Sequence, residues 1–165
     1  MEPRLNAFDK GREAMQSLYG IRTYLAKSTV EEHLLDLVYF RVSQINGCAY
    51  CLDMHSKDLR AAGESEQRLY LMDAWRESSV YSDRERAAFA WAEAVTRLEH
   101  GQVADEPYEN ARKFFSEKEL IDLTLAITAI NTYNRFNIAF RTPAGSYRPG
   151  MHAIVQKAPV AAASN

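Results

Sequence analysis

Both cysteines of the 165-residue chain lie in the stretch Asn46-Gly47-Cys48-Ala49-Tyr50-Cys51-Leu52-Asp53-Met54-His55. They stand three residues apart, with a histidine four residues beyond the second. On a helix, residues 51 and 55 sit one above the other and residue 48 lies a turn before 51, so two thiols and an imidazole share one stripe. A free thiol with a pKa of about 8.5 is only a few per cent thiolate at neutral pH, and the thiolate is the nucleophile. The break at Asn46-Gly47 puts the cysteines near a helix N-terminus, where partial positive charge favours an anion. His55, one turn past Cys51, is placed to take its proton or to stabilise the thiolate. If Cys51 is oxidised to a sulfenic acid, attack by Cys48 closes an intramolecular disulfide and expels water.

An imidazole used this way needs a group to orient its other nitrogen. The candidate is Asp36, twelve residues before Cys48 on the preceding helix and flanked by Leu35, Leu37 and Val38. Periodicity puts Asp36 at the margin of a buried stripe, leaning toward solvent. His33, on the same helix, reads as a surface histidine before it reads as a site neighbour. Tyr39 and Tyr50 have hydroxyls to lend, but read first as aromatic core contacts, and His152 has no assigned role. A closed zinc site needs four ligands, commonly two cysteine pairs. One pair and four histidines do not make that pattern, so no metal and no cofactor are expected.

Composition bounds the setting. The apolar and charged fractions, 47% and 25%, are those of an ordinary globular protein, and the length suits one domain. A net charge of −2 gives no pull toward nucleic acid or an anionic membrane. No stretch reaches the roughly 18 apolar residues of a membrane span, and the residues after Met1 do not read as a secretory signal. A cytoplasmic location follows as the expectation. In such a reducing compartment a Cys-x-x-Cys pair is redox-active or metal-binding more often than structural.

The elements that must carry these residues read as helices throughout. Seven glycines and five prolines are sparse, and between them run amphipathic segments with capping signals. A first helix is expected over 9–26, with Asp9 as N-cap and Ala14, Leu18, Ile21 and Leu25 buried. The second spans about 30–44, opened by Ser28-Thr29 with Glu31 and Glu32 as capping-box partners. The cysteine helix follows from residue 47 or 48 to near Gly63. Ser65, Ser82 with Glu85, the Asp105-Glu106-Pro107 run, and Ser116 with Glu119 open four more. The last of these runs to about Phe140. Leu35–Asn46 and Leu120–Asn131 match at an offset of 85 residues, which suggests two copies of one helical hairpin about a pseudo-twofold axis. The predicted fold is a single-domain all-α helical bundle with this internally duplicated hairpin, over residues 1–148. Residues 149–165 are expected to form an irregular or disordered tail.

Residues 34–59, and above all Ser43–His55, resemble the core of the carboxymuconolactone decarboxylase superfamily, in particular its alkylhydroperoxidase D-like (AhpD-like) branch. The similarity extends over about 14–148, including Tyr133-Asn134-Arg135-Phe136-Asn137-Ile138. The resemblance implies an all-helical fold and a thiol-dependent peroxidase that consumes a hydroperoxide and a dithiol reductant. It implies that Cys51 attacks, that Cys48 resolves or donates a proton, and that His55 relays protons. The family's relay glutamate falls on Asp36, a carboxylate shorter by one methylene, about 1.5 Å. Tyr50 stands where some members carry a second histidine. A homo-trimer or homo-hexamer is likewise implied. Two alternatives remain. One is a redox-sensing binding module whose Cys48–Cys51 disulfide switches its oligomeric state. The other is a decarboxylase-type enzyme with incidental cysteines, although the decarboxylase branch lacks the pair.

Overall fold

The computed structural model describes residues 2–151, which form eight α-helices and, among them, no strand. They are α1 (Ala7–Lys10), α2 (Arg12–Leu25), α3 (Glu32–Asn46), α4 (Ala49–Ala61), α5 (Glu66–Leu71), α6 (Asp83–Arg97), α7 (Asp105–Arg112) and α8 (Glu117–Phe140). No helix among the described residues is long and apolar enough to cross a membrane. Helix α3 is the central element and packs against α4, α6 and α8. Its Leu37, Val38 and Val42 are fully enclosed with Phe89 of α6 and with Leu123 and Ile127 of α8.

Short-range signals explain most helix starts. Ser65 Oγ accepts from Arg68 N at the start of α5. Ser82 with Glu85 and Ser116 with Glu119 form reciprocal capping boxes on α6 and α8. The N-terminal region departs from its expected form. The single helix over 9–26 is broken in two at Gly11, where the chain turns so tightly that a Cβ would lie 2.9 Å from the Ala7 carbonyl oxygen. Asn6, not Asp9, caps α1, its side chain accepting from Phe8 N and Asp9 N. On α2 the buried residues are Met15 and Leu25, while Ala14 is exposed. Helix α3 begins at Glu32 without a side-chain cap. Ser28 is spent instead on Asp122 of α8, to whose Oδ2 it donates at 2.7 Å.

The 85-residue echo has a structural counterpart. Helices α3 and α8 open at Glu32 and Glu117, 85 positions apart, and pack on one another. The equivalent residues Asn46 and Asn131 meet, Asn46 Nδ2 donating to Asn131 Oδ1 at 2.9 Å. The copies then diverge. The chain breaks after Asn46 at Gly47, whose φ of +66° suits a residue without a Cβ. In the second copy α8 continues straight to Phe140. That divergence sets α4, with its cysteines, alongside the second half of α8.

Beyond α8 the chain folds back on α4. Lys57 Nζ donates to the carbonyls of Gly145 and Tyr147, and the buried Tyr147 donates its hydroxyl to Asp58. Of the expected tail over 149–165, the part from His152 onward lies outside the described residues.

Candidate active site

The site is built where the N-terminus of α4 meets α8. Cys48 is the N-cap of α4, its sulfur accepting from the backbone N–H of Cys51 at 3.4 Å. Cys51 therefore lies in the first turn, where the helix dipole favours a thiolate. The two cysteines are joined by a disulfide with their Cα atoms 5.3 Å apart, ordinary spacing for such a bond. Both are 1% exposed, but they are not equivalent. Cys51 lines a cavity of about 130 Å³ and Cys48 does not, so a small molecule entering that cavity meets the second sulfur first.

His55 and Asp36 line the same cavity, so the structure brings Cys51, His55 and Asp36 to one space, with Cys48 behind Cys51. The imidazole is enclosed and stands against the Tyr39 ring, centroid to centroid 5.5 Å. Burial, and next the positive charge of Arg22, push its pKa down to about 3, so the ring is neutral at physiological pH. Its Nε2 has no hydrogen-bond partner, so Asp36 does not hold the ring through that atom. Burial first, then the nearby carboxylates Glu32 and Asp58, raise Asp36 to about 7, against the pull of His33 and Arg22.

Asp36 also borders a second cavity of about 450 Å³, and Arg22, Tyr39 and Asp58 line both. A carboxyl group that titrates near neutrality thus stands at the partition between the two spaces. His33 lines neither; it faces Glu64, Nε2 to Oε2 2.9 Å. Tyr39 and Tyr50 are part of the cavity wall, and Tyr39 also packs against the core. Among the described residues no group of histidine, cysteine or acidic side chains is arranged to hold a metal ion.

Helix α8 supplies what sequence reasoning left unassigned. Asn137, 6% exposed, donates through Nδ2 to the Cys51 sulfur at 3.4 Å and to the Tyr133 carbonyl at 3.0 Å. Tyr133, one turn earlier on the same face, lines the cavity. The clue lay in the segment Tyr133–Ile138, which belongs to the family resemblance. Nothing in its spacing connects it with a cysteine 86 positions away.

The profile of the carboxymuconolactone decarboxylase family matches residues 12–94, half of the chain and all of α2, α3 and α4. YdfG of Bacillus subtilis (strain 168) is 38% identical over 146 residues, which cover 88% of this chain and 99% of that protein. The chain belongs to the carboxymuconolactone decarboxylase family. YnjA of Escherichia coli (strain K12) is 30% identical over 118 residues, covering 72% of this chain and 64% of YnjA. Among solved structures, ATU0492 of Agrobacterium tumefaciens, a protein of unknown function described as a putative antioxidant defence protein AhpD, is 39% identical. It superposes with a TM-score of 0.84 over 88% of this chain and the whole of the other. Within the family, then, the chain falls in the AhpD-like branch, and the all-helical bundle is that branch's fold.

Proposed function

We propose that the protein is a thiol-dependent hydroperoxide reductase in which Cys51 attacks, Cys48 resolves, and His55 with Asp36 moves the protons. The observation that carries this reading is the position of Cys51. It lies on the wall of a cavity shared with a neutral imidazole and a carboxyl group raised to about 7, with a second sulfur bonded to it from behind. In the reduced protein the Cys51 thiol gives its proton to His55, and the thiolate is held by the helix terminus and by Asn137 Nδ2. The sulfur attacks the terminal oxygen of the hydroperoxide, the O–O bond breaks, and an alcohol and a Cys51 sulfenic acid are formed. Cys48 then attacks the Cys51 sulfur, the S–O bond breaks as the S–S bond forms, and the proton given up by the Cys48 thiol joins the leaving hydroxyl to make water. A dithiol reductant returns the disulfide to two thiols, becoming a disulfide itself.

Asp36, at the partition between the two cavities, exchanges the relay proton with solvent. Its shorter side chain reaches His55 through a bridging water rather than directly. The working form is a homo-trimer or homo-hexamer in the cytoplasm. The family resemblance supports that assembly, and so do the exposed apolar side chains of Tyr24 and Ile121 on α2 and α8.

Steady-state turnover of an organic hydroperoxide with a dithiol tests the assignment. Wild type should turn over, and Cys51→Ser should lose the activity entirely. Retained turnover in Cys51→Ser would overturn the role of Cys51.

A further inference from the structure

Three buried side-chain polar atoms among the described residues have no hydrogen-bond partner: His55 Nε2, Tyr133 Oη and Asn137 Oδ1. Leaving a buried polar group unmade costs about 1–3 kcal/mol, so such atoms are rare and call for an explanation. Here all three residues line the same cavity as Cys51. With Cys51 they make two one-turn pairs on facing helices. Cys51 and His55 lie four residues apart on α4, and Tyr133 and Asn137 four apart on α8, with Asn137 touching the Cys51 sulfur. The set is chemically complementary to one group. Asn137 Oδ1 accepts only, the tyrosine hydroxyl has a proton to give, and the neutral imidazole has a lone pair to take one.

We propose that Tyr133 is a catalytic residue, its hydroxyl forming with Asn137 Oδ1 and His55 Nε2 the seat for the O–OH group of an organic hydroperoxide and protonating the alkoxide that leaves. This rests on the hydroperoxide reductase reading. The terminal O–H of the substrate donates to Asn137 Oδ1, and the oxygen bonded to carbon accepts from Tyr133. The thiol proton of Cys51 passes to His55. The sulfur forms a bond to the terminal oxygen, which keeps its hydrogen, and the O–O bond breaks with its electron pair going to the carbon-bound oxygen. Tyr133 gives that oxygen its proton, and His55 returns the thiol proton to the tyrosinate. The sum is one thiol and one hydroperoxide converted to one sulfenic acid and one alcohol. Sulfur is oxidised by two electrons and the peroxide reduced by two. Burial keeps the phenol in its protonated form, as the donor role requires. Phe8, Leu25, Met54 and Ile130 add apolar wall beside the ionisable Arg22, Asp36 and Asp58, and this apolar part suits a carbon substituent on the peroxide.

The test uses the full chain and its Tyr133→Phe variant, both reduced, with two reagents that reach the same sulfur. Oxidation by tert-butyl hydroperoxide needs a departing alkoxide, whereas alkylation by iodoacetamide expels iodide, which takes up no proton. Tyr133→Phe should be oxidised about 100-fold more slowly, within the range for a lost general acid. Its alkylation rate and the pH midpoint of alkylation should stay at wild-type values. Across hydroperoxides of graded leaving-group pKa, the rate should depend weakly on that pKa in wild type and steeply in the variant. Oxidation of Tyr133→Phe at the wild-type rate, or equal losses in oxidation and alkylation, overturns the role of Tyr133 and leaves the reductase reading standing. A wild type that reacts with hydroperoxide no faster than a free thiol overturns both.

Discussion

The two sulfurs differ in what they face. Cys48 caps its own helix, and Cys51 faces a cavity with His55, Asp36, Tyr133 and Asn137 around it. The proton relay is assigned to Asp36, and the pH dependence of turnover is where that assignment shows. In the proposed relay Asp36 acts as the carboxylate, so its contribution should rise as pH climbs through about 7. Asp36→Asn should be slower by about 10-fold or more and lack the inflection near 7, while the inflection of the thiol itself persists. His55, neutral down to about pH 3, should contribute no inflection near 6.5. A profile for Asp36→Asn that superimposes on wild type after scaling would rule the relay out. At this scale the sequence was legible along α4, because residues 48, 51 and 55 are neighbours through helical geometry alone. Asp36 was ambiguous because periodicity gives a face and not a cavity. Asn137 was unreadable because its contact with Cys51 depends on how α8 packs on α4.

The elements hold these side chains through the junction of α3, α4 and α8. Asn134, fully enclosed, donates to Ser43 Oγ at 3.1 Å and accepts from Asn46 Nδ2 at 2.9 Å, fixing the end of α3 just before Gly47 and Cys48. Asn134→Ala removes both of these bonds, leaving Ser43 Oγ with the Tyr39 carbonyl and Asn46 with Asn131, and should lower stability by about 2 kcal/mol, read from a denaturant midpoint. Its effect on thiol alkylation should be the larger diagnostic, because the helix start carrying Cys51 loses its anchor. At Gly47 a Cβ meets nothing within 4 Å, so Gly47→Ala tests the positive φ alone. It should cost about 1 kcal/mol, from the left-handed backbone. The helix starts at Ser65, Ser82 and Ser116 were readable because capping is a local hydrogen-bond pattern. The split at Gly11 was not, because it comes from a close approach of one carbonyl that no periodicity reports.

Over the whole molecule, one carboxylate unites α3 with α6. Glu93, 2% exposed, accepts from Arg41 Nε and Nη2, from Trp75 Nε1, and from Arg76 and Arg97. Glu93→Ala leaves the buried Arg41 guanidinium with Asp73 as its remaining carboxylate, and should destabilise the fold by about 3 kcal/mol. Stability should also carry the signature of Asp36. Its folded pKa of about 7 lies above the ordinary 3.8, so the folded state holds a proton the unfolded chain releases. The fold is therefore spared any cost from this group below about pH 4 and is weakened as pH rises through 7. Asp36→Asn should be more stable than wild type at pH 8, with the difference fading toward pH 4. The all-α class was legible from sparse glycine and helical periodicity, and the α3–α8 relation from the 85-residue echo. The Arg41–Glu93 pairing was not, since it joins residues 52 apart that share no local pattern. The central claim is that Cys51 is the sulfur a hydroperoxide oxidises, and it can be read directly. Reduced Cys48→Ser should be treated with one equivalent of hydroperoxide and a diketone trap for sulfenic acids, then mapped by mass spectrometry. One adduct per chain on Cys51 is predicted. An unmodified Cys51, or an adduct formed on Cys48 in the Cys51→Ser protein at the same rate, would contradict the account.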